Sequence, residues 1–110
     1  MYRLSVIIEE VFRKYLPLAE KRKVALNLDF PDVTKRIERP SRVRGPLDAL
    51  VEAALRRAKK SVSIVVEKSG VRIVDDGEAL TPAELAEIRE PDHIAAKSRV
   101  GFGTEVLVKF

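Results

Sequence analysis

The chain has no cysteine and no tryptophan, one histidine, one methionine, two tyrosines and four phenylalanines. Without cysteine there is no disulfide, no thiolate nucleophile and no thiolate metal site, which fits a reducing or a hot interior. A single histidine, His93, excludes a zinc site built within one chain on nitrogen and sulfur ligands, and its polar surroundings do not suit a phosphoacceptor. Few aromatics leave no stacking platform for bases, so nucleic acid is not expected as a partner despite a net charge of +4. No apolar run approaches the roughly 18 to 20 residues that span a bilayer, and Met1 to Arg13 lacks the basic start, apolar middle and small-residue cleavage site of a signal peptide. A cytoplasmic protein without membrane contact is expected.

What is present is 110 residues, 45% hydrophobic and 35% charged, enough for one core, and residues 1–110 are expected to form a single domain. The basic residues at Lys21-Arg22-Lys23, Arg56-Arg57 and Lys59-Lys60 are interleaved with acids, as on a solvated face. Abundant Arg, Lys and Glu resemble the composition of heat-adapted proteins.

From Leu4 to about Arg22, apolar residues at Leu4, Ile7, Ile8, Val11, Phe12, Tyr15 and Leu18 recur at spacings of three and four, which predicts an amphipathic helix with a kink or break near Tyr15 to Pro17. Val24, Leu26, Leu28 and Phe30 alternate with less apolar residues, predicting a strand that Pro31-Asp32 closes. Between Val33 and Arg44 at most two short strands are expected, around Ile37 and Val43. Gly45-Pro46 then opens a second helix, with Leu47, Leu50, Val51, Ala54, Leu55 and Ala58 as its apolar stripe. Val62, Ile64 and Val66, a turn at Ser69-Gly70, then Val71 and Ile73 predict a hairpin. Thr81-Pro82-Ala83-Glu84 reads as a capping box opening a short helix to about Ile88. Asp92 to Phe102 has neither period and reads as loop, and Thr104 to Phe110 closes the chain as a strand. This order predicts an α+β two-layer sandwich: a mixed or antiparallel sheet with helices on one face and Asp29, Arg72, Lys109 and the serines on the wet face.

Four segments carry a resemblance. Ala49-Leu50-Val51-Glu52-Ala53-Ala54-Leu55-Arg56-Arg57-Ala58 is similar to an Asn-Leu-Leu-x-Asn-Ala-Leu-Lys-Tyr-Thr helix. Val71 to Leu80, containing Asp75-Asp76-Gly77-Glu78-Ala79, resembles an Asp-x-Gly-x-Gly-Ile box at the end of an apolar strand. Glu90-Pro91 looks like the tail of Ile-Phe-Glu-Pro-Phe, and Ala96 to Val108 is similar to a Ser-x-x-Gly-x-Gly-Thr-x-Phe strand. In this order, and with the opening helix and strand from Leu4 to Asp29, they resemble the ATPase domain of sensor histidine kinases, in the GHKL superfamily of gyrase, heat-shock chaperone, histidine kinase and mismatch-repair ATPases.

The resemblance implies a nucleotide site, and the departures from it imply that its phosphate chemistry is gone. The magnesium-binding Asn of the family is here Ala53, which has no oxygen for a hard cation. The position one turn earlier is Ala49, so no general base is placed for water attack. Asp48 and Glu52 lie about 100° round the helix and read as solvated charges. About nine residues stand where the family carries a flexible lid, a Gly-rich phosphate turn and a long helix, so these are expected to be missing. Gly101-Phe102-Gly103-Thr104 reads as a tight turn.

What the resemblance leaves is the adenine end. Asp75 matches the carboxylate that accepts the exocyclic amine, Gly77 the turn beside the base, and Thr104 the residue backing the carboxylate. Ala79 stands where a glycine would let the base slide in. Asp75, Gly77, Ala79 and Thr104 are therefore the candidate nucleotide-binding residues, with no catalytic residue and no metal. Two functions remain open. One is a degenerate, non-catalytic domain that needs no cofactor and acts as a signalling or protein-interaction module, as a homodimer or docked on a kinase or response regulator to cover the apolar sheet surface the lost helix would expose. The other is a minimal adenine-nucleotide binder, taking ATP or ADP weakly and independently of magnesium, with residual ATPase or kinase activity.

Overall fold

The computed structural model describes residues 2–30, 36–37, 40–67 and 69–109. The chain runs β1 (Tyr2–Arg3), α1 (Leu4–Arg22), β2 (Ala25–Asp29), β3 (Arg36–Ile37), α2 (Pro40–Arg57), β4 (Ser61–Val66), β5 (Gly70–Asp75), α3 (Pro82–Ile88), β6 (Ile94–Arg99) and β7 (Gly103–Lys109). Five strands form a mixed sheet in the order β2-β4-β5-β7-β6, and β1 pairs with β3 in a two-stranded ribbon. Only β2 and β4 run parallel; the remaining neighbours are antiparallel.

Of the stripe read on α1, Leu4, Ile7, Ile8, Val11 and Tyr15 are buried and Phe12 and Leu18 partly buried, and Ala19, outside that stripe, joins them in the core. They meet Val43, Leu47, Val51, Ala54 and Leu55 of α2 and the alternate residues Val62, Ile64, Val66, Val71 and Ile73 of the sheet. Side chains of a strand alternate between faces, so Ser63, Arg72 and Glu105 fall on the outer face. α1 ends at Lys23 with φ 57, where Val24 N–H reaches the Ala19 carbonyl at 2.9 Å and Lys23 N–H reaches Glu20 at 3.1 Å. That is a Schellman closure made without glycine.

The helices depart from the sequence reading at their prolines. α1 runs unbroken through Pro17. Pro17 is exposed, so the Arg13 carbonyl deprived of its donor faces water. α2 begins at Pro40, not at Gly45-Pro46, and Val43 is a buried helical residue, not part of a strand. Pro46 removes the donor that would serve the Arg42 carbonyl one turn back. His93 supplies it instead, its Nε2 lying 3.0 Å from that oxygen.

Residues 94–99, read as loop, form β6. Ile94 and Ala96 are buried while Ala95, Lys97 and Arg99 are exposed, but two adjacent alanines give the alternation almost no amplitude. α3 opens on the capping box read from the sequence: Thr81 accepts from Glu84 N–H at 3.2 Å and Glu84 accepts from Thr81 N–H at 3.1 Å. From Ile88 the chain reaches β6 through residues 89–93 alone, a turn fastened by Ile94 N–H to the Pro91 carbonyl at 3.1 Å. No lid or long helix is inserted there. The apolar surface expected to lie open is covered: Ile94, Ala96, Val106 and Val108 are buried under Leu50, Leu85 and Ile88. Among the described residues no helix is long and apolar enough to cross a membrane.

Candidate functional site

β5 carries Asp75 to the end of the sheet where α1 and α2 finish, and there the side chain is buried, 1% exposed. Burying an ionised carboxylate is costly unless each oxygen is matched. Gly77 N–H donates to Oδ1 at 2.9 Å, a turn closed within the Asp-x-Gly segment itself. The other oxygen, Oδ2, takes Arg57 Nη2 at 2.7 Å. Arg57 sits in the last turn of α2 and is 19% exposed; its Nε is buried without a partner. In the helix motif quoted above, Arg57 occupies the tyrosine position.

Two glycines permit this packing. A Cβ on Gly77 would run into the Arg57 carbonyl, and one on Gly103, where φ is 83, into the Asp75 carbonyl. Thr104 stands across the ladder from Asp75 and is buried. Its hydroxyl turns to Ser98 Oγ at 2.8 Å, and Ser98 also accepts from Leu80 N–H at 2.8 Å. Asp75, Gly77 and Thr104 are thus brought together, with both Asp75 oxygens and the Thr104 hydroxyl answered from within the protein and Arg57 Nε left without a partner.

Ala79 lies a little further out, on an open cleft of about 420 Å³ shared with Arg56, Arg57, Lys59, Leu80 and two carboxylates, Glu78 and Glu84. Its lining carries charges of both signs. Arg56 is held by Glu52 at 2.6 Å and Arg57 by Asp75, leaving Lys59 against the two acids. On α2, Ala49 is exposed and Ala53 half-buried. Among the described residues there is no cluster of three or more His, Cys, Asp or Glu able to hold a metal ion.

Asp76, the middle residue of the Asp-x-Gly segment, has a role the motif conceals. Its carboxylate accepts from the backbone N–H groups of Lys59 at 2.8 Å, Lys60 at 3.0 Å and Ser61 at 3.3 Å. Burial works against its charge, but the donors of Lys60, Lys59 and Ser61 outweigh it and hold its pKa below the ordinary carboxylate value. It ties the start of β4 to the end of β5.

Asp48 and Glu52 are not merely solvated. Tyr15 on α1 donates its hydroxyl to Asp48 Oδ1 at 2.5 Å, with Glu52 Oε2 at 3.2 Å, and Lys14 reaches Asp48 Oδ2 at 2.7 Å. Burial, then the Asp48 carboxylate, pushes the Tyr15 phenol far above its ordinary value. The hydrogen bond from Lys14 holds Asp48 below its own. These groups clamp α1 to α2. Periodicity marked Tyr15 as core, and nothing in its spacing named its partners.

No family model matches the sequence, and no curated protein does. The structure matches solved histidine kinases. Against the cytoplasmic segment of the histidine kinase QseC the TM-score is 0.74 at 15% identity, covering 98% of this chain and 74% of that one. Against the catalytic domain of the histidine kinase ThkA it is 0.71 at 16% identity, covering 98% and 93%. The Acinetobacter baumannii histidine kinase AdeS gives 0.71 at 15% identity, covering 98% of this chain and 65% of that one. Likeness at this identity establishes the fold: an α+β sandwich of the kind found in histidine kinase catalytic domains.

Proposed function

From that fold we propose that the protein is a non-catalytic relative of histidine kinase ATPase domains, working in the cytoplasm as a protein-interaction module in signalling. The observation that carries this reading is the ion pair between Arg57 and Asp75. A base read by Asp75 would have to reach a carboxylate that is only 1% exposed, with Gly77 N–H already on one oxygen and the Arg57 guanidinium on the other, so the guanidinium must give way to admit it. Stripping the partner from a buried charge costs about 3–5 kcal/mol. A loss of that size weakens a micromolar site, worth about 8 kcal/mol, to roughly millimolar.

The phosphate end supports the same reading. Ala53 offers no ligand to magnesium, and the direct passage from α3 to β6 leaves no glycine-rich turn to cradle phosphates. The competing reading, a weak adenine-nucleotide binder with residual turnover, draws on the convergence of Asp75, Gly77 and Thr104 at one point of the sheet. The decisive test is phosphate release from ATP, with and without magnesium. The expected rate equals the protein-free background. Turnover above background that disappears in Asp75→Asn reverses the reading.

A further inference from the structure

Val100 and Phe102 are 87% and 80% exposed on the turn joining β6 to β7. Exposed apolar side chains scattered singly need no explanation, but here two share one turn. That turn is built stiffly. Phe102 N–H bonds the Arg99 carbonyl at 3.1 Å, Gly101 and Gly103 sit at φ 85 and 83, and Gly103 backs onto the Asp75 carbonyl without room for a side chain. A tip already held in one shape loses little conformational freedom when it docks. Beneath it lies a groove of about 250 Å³ with Val74 and Phe102 as apolar walls and Lys97, Arg99 and Glu105 as its charges. Glu105 is already met by Lys97 at 3.1 Å and by Arg72 at 3.6 Å. The tip therefore presents apolar surface with a cationic flank, led by the exposed Arg99.

The same chain carries the complement. On α3, Leu85 and Ile88 pack towards the sheet. Ala83, Ala86, Glu87 and Glu90 are exposed and, at spacings of three and four, form one outward stripe. The Glu90 N–H to Glu87 carbonyl bond, 3.3 Å, continues the turn past the helix end. The nearby cation, Arg89, directs its guanidinium to the Ala96 carbonyl, so the stripe stays acidic.

We propose that the hairpin tip of one copy docks on the α3 stripe of a second copy, Phe102 seated against Ala83 and Ala86 and Arg99 meeting Glu87, with the same contact repeated by the two-fold. This rests on the association reading above and names the partner as the chain itself. The interface is of the small, reversible class.

Sedimentation velocity without nucleotide tests it, so that ATP binding bears only on the reading above and self-association only on this one. The wild type is expected to pass from monomer to dimer between about 10 and 500 µM, a range typical of weak contacts. Phe102→Ser, Arg99→Glu and Glu87→Arg each alter an exposed side chain and are expected to weaken the dimer at least about tenfold with an unchanged circular dichroism spectrum. The double variant R99E/E87R is expected to recover it. A wild type that stays monomeric, including one that instead pellets with anionic vesicles or binds an acidic peptide, overturns the proposal. So does a dimer indifferent to Phe102→Ser.

Discussion

Arg57 Nη2 lies 2.7 Å from Asp75 Oδ2, and the two partners are not equally buried: 19% of the arginine side chain is exposed against 1% of the aspartate. Arg57→Ala therefore leaves a charge sealed from water, whereas Asp75→Asn leaves a guanidinium able to lean outward. Arg57→Ala is expected to cost about 3–5 kcal/mol, the range for leaving a buried charge unpaired, and Asp75→Asn about 1 kcal/mol. Urea denaturation of the singles and the double completes the cycle, and the double is expected to cost less than their sum. Equal, additive losses would deny the pairing.

The Arg42 carbonyl is served by His93 because Pro46 cannot serve it. His93→Phe is expected to destabilise by about 1 kcal/mol, the usual net worth of one hydrogen bond. In a Pro46→Ala background the helical donor returns, so the same substitution is expected to cost close to nothing. Equal losses in both backgrounds would mean that the contact does not repair the helix.

Gly45 stands inside α2, and beyond its neighbours Arg44 and Pro46 a Cβ there meets nothing within 4 Å. In a Pro46→Ala background, where no proline ring crowds the new Cβ, Gly45→Ala is expected to stabilise by about 0.5–1 kcal/mol, because the unfolded chain loses freedom and the helix gains a better former. Thermal unfolding reads the gain as a raised Tm, and a lowered Tm contradicts it.

Asp76 and Asp48 both hold their carboxyls below the ordinary value. A depressed carboxylate contributes stability that is present above its unfolded pKa and lost as pH falls through the folded one. Stability is therefore expected to decline from about pH 4 downward, with neutral pH on the plateau. Asp76→Asn is expected to cost about 1–2 kcal/mol at pH 7 and to flatten part of the acid limb. An acid limb unchanged by Asp76→Asn would assign the decline to other groups.

Local signals made much of this fold legible. The stripe from Leu4 to Leu18, the alternation through Val62 to Ile73 and the box at Thr81-Glu84 each depend on neighbours a few residues apart, and each appears where the pattern puts it. β6 escaped because Ala95 and Ala96 barely differ in hydropathy, so a real alternation left no trace. The start of α2 escaped because Gly45-Pro46 is a helix breaker by propensity, and its remedy, His93, lies 51 residues along the chain from Arg42. At the site, Asp75, Gly77 and Thr104, read as candidate nucleotide-binding residues, stand side by side in the fold. What decides their chemistry, the guanidinium of Arg57 on the carboxylate, is a tertiary contact between two ordinary charged residues, and no spacing announces it.

The most direct test of the closed site is a backbone amide NMR titration of the protein with ATP, with and without magnesium. The amides of Asp75, Gly77, Ala79 and Thr104 are expected to stay in place up to about 0.1 mM ATP, where a micromolar site would fill and one weakened to millimolar would stay empty. Saturable shifts gathered at those four residues and absent in Asp75→Asn would show that Arg57 yields to the base, and the protein would then be a nucleotide binder.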